Sequence, residues 1–122
     1  MKIFVIILFF LNVIFPQTVN VSVDKQVMQE GDVLQLMIEV SGARDFPKIE
    51  MDKIKKNFEF VGGPYEQTSI EFINGKMKDT KTLTWTLSPR KTGNLIIPEI
   101  QGLIDGKRFV SKPIKISVVN NL

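Results

Sequence analysis

Apolar and polar residues trade places with a period of two through most of this chain, and the breaks in that rhythm fall on turn residues. Val19, Val21 and Val23 alternate with Asn20, Ser22 and Asp24, the pattern of a half-buried strand. Glu30-Gly31-Asp32 marks a turn, and the strand expected over 33–40 sets Leu34, Leu36, Ile38 and Val40 against Gln35, Met37 and Glu39. Residues 41–57 carry Gly42 and Pro47 and lose the alternation, so they are expected to cross between sheets as a loop, with at most a helical turn over 52–56. Phe58-Glu59-Phe60-Val61 resumes a strand, which Gly62-Gly63-Pro64 is expected to break.

Segments 65–73 and 76–87 flank Asn74-Gly75, a dipeptide that tolerates the positive φ angles of a type I′ turn, and so form a hairpin. On its second strand Leu83, Trp85 and Leu87 share one face, while Thr80, Thr82, Thr84 and Thr86 share the other; β-branched, wettable threonine suits a solvated face. Pro89-Arg90-Lys91-Thr92-Gly93 turns the chain into Leu95-Ile96-Ile97. Asp105-Gly106 makes a second hairpin between 99–104 and 107–110, and the last strand, over 114–119, points Ile114, Ile116 and Val118 inward. Seven to nine short strands with almost no helical periodicity predict an all-β fold, an immunoglobulin-like antiparallel β-sandwich over residues 18–122.

The first 17 residues follow a different rule. Lys2 precedes an apolar run from Ile3 to Phe15, interrupted only by Asn12. As a helix, a run of this length covers about 20 Å, short of the roughly 30 Å hydrocarbon core of a bilayer. A positive start and a short apolar core read as a secretory signal peptide over 1–17. No small-x-small cleavage triplet stands near Pro16 and Gln17, which keeps an uncleaved anchor as the alternative. Either way the domain after it is expected to be exported.

Composition narrows the chemistry. At 122 residues and 43% apolar content, with nine Phe and one Trp, the chain holds one modest core. Its 16 basic and 13 acidic residues give a net charge of +3, and the lysines are scattered, so a nucleic-acid interface is not expected. The chain contains neither Cys nor His, which removes disulfides, thiol nucleophiles, thiolate metal sites and the commonest general base. The missing disulfides lean toward a bacterial envelope protein.

The remaining candidates each have a plainer reading. Glu30 with Asp32, or Glu50 with Asp52, put two carboxylates close together, but calcium takes six to eight oxygens. Trp85, flanked by Leu83 and Leu87 at period two, reads as core rather than as a sugar platform. Gly62, Gly63 and Gly75 lack phosphate-loop spacing. Ser88 and Ser111 have lysines nearby in sequence but no nucleophile turn. Asn20-Val21-Ser22 matches a glycosylation acceptor only as a short tripeptide within a strand. No catalytic, cofactor or metal residues are therefore assigned. What remains is the loops and rims that a sandwich leaves open. Candidate partner-binding positions are Arg44, Phe46 and Lys48 in the crossing loop, Asn74 and Gly75 at one hairpin tip, and Asp105 and Gly106 at the other.

The ordered set Gly31-Asp32, Leu34-x-Leu36-x-Ile38-x-Val40, Phe58-x-Phe60-x-Gly62, Ile73-Asn74-Gly75-Lys76, Thr84-Trp85-Thr86-Leu87-x-Pro89, Gly93-x-x-x-Ile97-Pro98 and Ser111-x-Pro113-Ile114-x-Ile116-x-Val118 resembles the N-terminal domain of the BatD proteins. These are bacterial envelope proteins of the aerotolerance operon, and the resemblance covers about residues 19–119. It implies a periplasmic, non-enzymatic interaction module without cofactors, close to the membrane. The implied partners are von Willebrand A domain proteins and a MoxR-type ATPase system, in a complex affecting stress or oxygen tolerance. The later sandwich domains and C-terminal membrane helix of that family do not follow here, so the sequence is expected to be a fragment of a longer anchored protein or a short relative. The alternative from another class is an extracytoplasmic structural or adhesive sandwich that binds glycan or calcium.

Overall fold

A computed structural model describes residues 17–120. The signal segment expected over 1–17 therefore lies, except for Gln17, outside the described residues. The described chain is all-β, with ten strands and one 3-10 turn over Ile54–Lys56. Among the described residues, no helix is long and apolar enough to cross a membrane.

The four-stranded sheet runs in the order β1 (Thr18–Val23), β3 (Leu34–Ser41), β6 (Lys76–Pro89), β5 (Phe58–Ile73), every pair antiparallel. Two three-stranded sheets complete the sandwich. One is β2 (Val27–Gln29), β10 (Ile114–Val119) and β7 (Gly93–Ile97); the other is β4 (Lys48–Glu50), β8 (Gln101–Ile104) and β9 (Lys107–Val110).

The alternation read from the sequence is what joins them. Along β3 every second residue is buried, and Leu34, Leu36, Ile38 and Val40 are fully so. The first three sit across from Leu87, Trp85 and Leu83 of β6 and Val40 across from Lys81, and all four meet Leu95, Ile97, Ile116 and Val118 of the opposite layer in one core. Each fully buried aliphatic side chain of this kind contributes about 1.5–3 kcal/mol of burial. On the outer face the threonines pair with polar neighbours: Thr86 Oγ1 donates to Gln35 Oε1 at 3.1 Å, and the Ser41 and Thr80 hydroxyls lie 3.3 Å apart.

The structure corrects four expectations. The strand count exceeds nine because β2 and β4, three residues each, are too short to show a period in sequence. β4 lies inside the segment expected to be loop. The sandwich is not wholly antiparallel either: β2 crosses to the far layer and pairs parallel with β10, Val118 opposite Met28. That switch buries Met28 and gives the last strand a second partner.

Gly62-Gly63-Pro64, finally, does not end a strand. β5 continues through it as a 16-residue strand with register shifts between Phe60 and Gly62 and between Gly62 and Tyr65. Gly63 takes φ +93° at the bulge, and a Cβ there would stand 2.4 Å from the Thr84 carbonyl oxygen. Only glycine lets the two backbones approach that closely, so the residues that looked like a break let the strand stay paired while it bends.

Candidate functional site

Three of the turns converge on one end of the sandwich. β3 and β6 part at Ser41 opposite Thr80, and β1 begins there with Thr18 opposite Ser41. The crossing loop leaves from the same place, since Gly42 N–H donates to the Asp79 carbonyl at 3.0 Å. Asp105, at the tip of the β8–β9 hairpin with φ +48°, reaches back to it. Its carboxylate accepts the backbone N–H of Arg44 at 3.0 Å, that of Asp45 at 3.4 Å and the Gln17 side-chain amide at 3.0 Å. Those donors, the Arg44 N–H foremost, hold the Asp105 carboxyl below its ordinary value of 3.8 against a smaller opposing effect of desolvation. One carboxylate thus fastens two of the predicted loops and the first described residue together.

The seven candidate residues do not form one site. Arg44, Asp105 and Gly106 are exposed and belong to the fastened cluster, while Lys48, also exposed, begins β4 opposite Leu103. Phe46 is different: it is half-buried against the core, and the Lys81 ammonium lies 5.8 Å from its ring centroid, so it anchors the loop rather than presenting a free contact. Asn74 and Gly75, at φ +52° and +79°, form the expected turn between Ile73 and Lys76. They stand at the end of a longer feature that sequence reasoning missed.

That feature is an arm. β5 and β6 pair from Phe58 opposite Pro89 to Ile73 opposite Lys76, whereas β3 accompanies β6 only as far as Thr80. Past that rung the hairpin continues as a two-stranded ribbon whose contour from Asp79 to Lys76, where the turn begins, is about 10 Å at strand rise. Register carries the core face outward along it: Lys81, Asp79 and Met77 lie opposite Thr68, Ile70 and Phe72. The opposite layer does not follow. Phe72 is 74% exposed, Met77 63% and Ile70 57%, and Tyr65 and Ile73 are exposed as well. Beside the arm, a hollow of about 480 Å³ is lined by Thr18, Ser41, Gly42, Ile73, Met77 and Asp79.

Lys81 is the second residue that went unnoticed. It shares the inward parity of Leu83, Trp85 and Leu87 and is only 8% exposed, yet it is charged. Its ammonium reaches the Asp79 carboxylate at 3.2 Å and the Phe46 ring, which closes the core where the arm departs. Position parity in the sequence was the signal that would have found it.

Several of the other chemical candidates have structural partners. Asp32 Oδ2 accepts Gln29 N–H in its turn, Asp52 pairs with Lys55 at 3.7 Å, and Ser111 Oγ accepts Ile100 N–H at 2.9 Å. Trp85 is in the core, 4% exposed. Among the described residues, no three acidic groups gather as a metal-holding set.

A family model described as BatD DUF11 like domain matches residues 21–118, from the middle of β1 almost to the end of β10. The chain belongs to the BatD family. The match takes in the core, both hairpins and the crossing loop, so the arm lies inside this BatD-family domain rather than appended to it. BatD membership places it with the Bat-operon-related envelope proteins. Compared with the curated proteins, the chain finds no match.

Proposed function

We propose that this BatD-family domain is a non-enzymatic interaction module, exported to the periplasm, which docks an extended segment of an envelope protein along the outer edge of β5. The observation that carries this reading is that edge. β5 is the last strand of its sheet, and among the described residues no strand pairs with its outer side. Pro64 and the bulge blunt the edge near the body, but from Tyr65 to Ile73 the strand is regular, exposed and free of proline. A row of unpaired N–H and C=O groups of that length is a template for strand addition, with alternate side chains supplying selectivity. Family resemblance makes von Willebrand A domain proteins and a MoxR-type ATPase system the first partners to examine, in a complex affecting oxygen or stress tolerance.

Photo-cross-linking in cells tests the reading. A benzoylphenylalanine at Gln67 or Ser69 is expected to yield adducts with an envelope protein, and one at Thr92, at the far end of the sandwich, is not. Adducts absent from both edge positions, with the protein present in the envelope fraction, would overturn it.

A further inference from the structure

We infer that the tip of the β5–β6 arm, from Phe72 to Lys78, is a membrane-surface anchor that seats in the headgroup region of an anionic bilayer. This goes beyond the protein-docking role of the β5 edge and shares only Phe72 and Ile73 with it. From 72 to 78 the chain offers Phe72, Ile73 and Met77 as exposed apolar side chains, Lys76 and Lys78 as cations, and no acid. Glu71, opposite Lys78, and Asp79, next to it, are the carboxylates that border the tip. Apolar side chains flanked by lysines on a narrow hairpin are complementary to an interface that has acyl chains on one side and phosphates on the other. A second copy of the tip is a poorer occupant, because it brings its own two lysines to the contact.

The position of the N-terminus adds an independent argument. Gln17 and Thr18 enter the sandwich at this same end, where Gln17 is held by Asp105 and Thr18 lines the hollow beside the arm. The 13-residue apolar run 3–15 precedes them directly in sequence. The other end of the described chain lies away from it: Val119 accepts Glu30 N–H beside Gly93, at the end where β6 finishes with Pro89. The described chain thus enters the sandwich at the end that bears the arm and leaves it at the other.

The chain has no cysteine, so a single introduced thiol is a unique label site. The full chain is reconstituted in phosphatidylethanolamine–phosphatidylglycerol vesicles with bimane attached at Met77→Cys or, as the control, at Thr92→Cys. A lipid-borne nitroxide is expected to quench the label at 77 on the order of fivefold more than at 92, with aqueous iodide showing the reverse. Adding Phe72→Ser and Ile73→Ser to Met77→Cys should remove the difference, while unchanged emission from Trp85 reports an intact fold. Equal quenching at 77 and 92 would overturn the proposal. So would a label at 77 that becomes shielded from iodide without vesicles as protein concentration rises, which would make the tip a contact between copies. Neither outcome touches the cross-linking at Gln67 and Ser69, so the two proposals fail separately.

Discussion

The two halves of the β5–β6 hairpin are the same antiparallel pair of strands, offset in register by the bulge, yet one half is core and the other is surface. Near the body, Leu83, Trp85 and Leu87 are at most 5% exposed; beyond Thr80, Met77 and Phe72 hold the same face and stand in solvent. The side-chain rhythm is common to both. What differs is cover, since β3 stops at Ser41 and none of Ile70, Phe72 and Met77 joins the core. Period-two patterning specifies which way a side chain points, and a second sheet decides whether that direction is inside.

The largest effect should therefore come from one truncation made on each half. Trp85→Ala removes the indole from the centre of the core and is expected to cost about 3–5 kcal/mol, enough to unfold much of the population of a domain this size. Phe72→Ala removes a comparable ring from the arm and should stay within about 0.5 kcal/mol. Urea titration followed by circular dichroism measures both. A loss of 2 kcal/mol or more in Phe72→Ala, on the scale of a buried apolar truncation, would show that something covers the arm.

Gly63 joins the two halves, and the next prediction acts there. An alanine Cβ would stand 2.4 Å from the Thr84 carbonyl oxygen and 2.9 Å from Trp85 Cα, and φ +93° disfavours any side chain. Gly63→Ala should cost about 1–3 kcal/mol by pushing β5 off β6 at the bulge. Gly75→Ala meets no atom within 4 Å and suffers only from its positive φ, so it should cost less, about 1–2 kcal/mol. Reversal of that order would mean that the arm, not the bulge, is the constrained part.

Much of this was legible in the residues. Both hairpin turns, the inward faces of β3, β6 and β10, and the burial of Trp85 follow from local rules, because turn chemistry and parity are written in neighbouring residues. The parallel β2–β10 pairing was not legible, since three residues carry no period and the partner is nearly ninety positions away. The bulge at Gly62-Gly63-Pro64 was read as a break because the same residues serve both ends, and only contact with Thr84 and Trp85 distinguishes them. The candidate loops were found one by one; that Asp105 ties two of them to Gln17 depends on the fold. The arm has a signal in the residues: expected strands of nine and twelve residues, 65–73 and 76–87, beside one of eight over 33–40, must overrun it.

Where the core gives way to the arm, Lys81 and Asp79 form the last inward pair. The Asp79 side chain is partly exposed and Lys81 is not, so removing either should be unequal. Asp79→Ala leaves a covered ammonium with only the Phe46 ring opposite and should cost about 1–3 kcal/mol. Lys81→Met keeps the stem volume and returns Asp79 to water, with an expected change within about 1 kcal/mol. A larger loss in Lys81→Met than in Asp79→Ala would make the pair part of the arm's own support rather than a seal on the core.

The smallest effect concerns the loops beside the arm and asks whether the arm depends on them. The Asp105 carboxyl titrates below 3.8 because the folded protein donates hydrogen bonds to its ionised form. The sign follows: its contribution is present above the unfolded value and is lost as pH falls from about there through the lowered folded value. Hydrogen exchange at Arg44 and Asp45 should accordingly lose protection, relative to the intrinsic rate, as pH drops below the ordinary carboxylate range. Asp105→Asn should show that loss already at neutral pH, because an amide oxygen accepts more weakly and asparagine tolerates φ +48° without new strain. The ribbon rung Phe72–Met77 lies beyond the Gly42–Asp79 bond and is paired only within the hairpin, so its exchange should be the same in both proteins. If the arm amides loosen together with Arg44, the arm is held by the cluster at its base, and the division between core and arm moves outward from Thr80 to the turn.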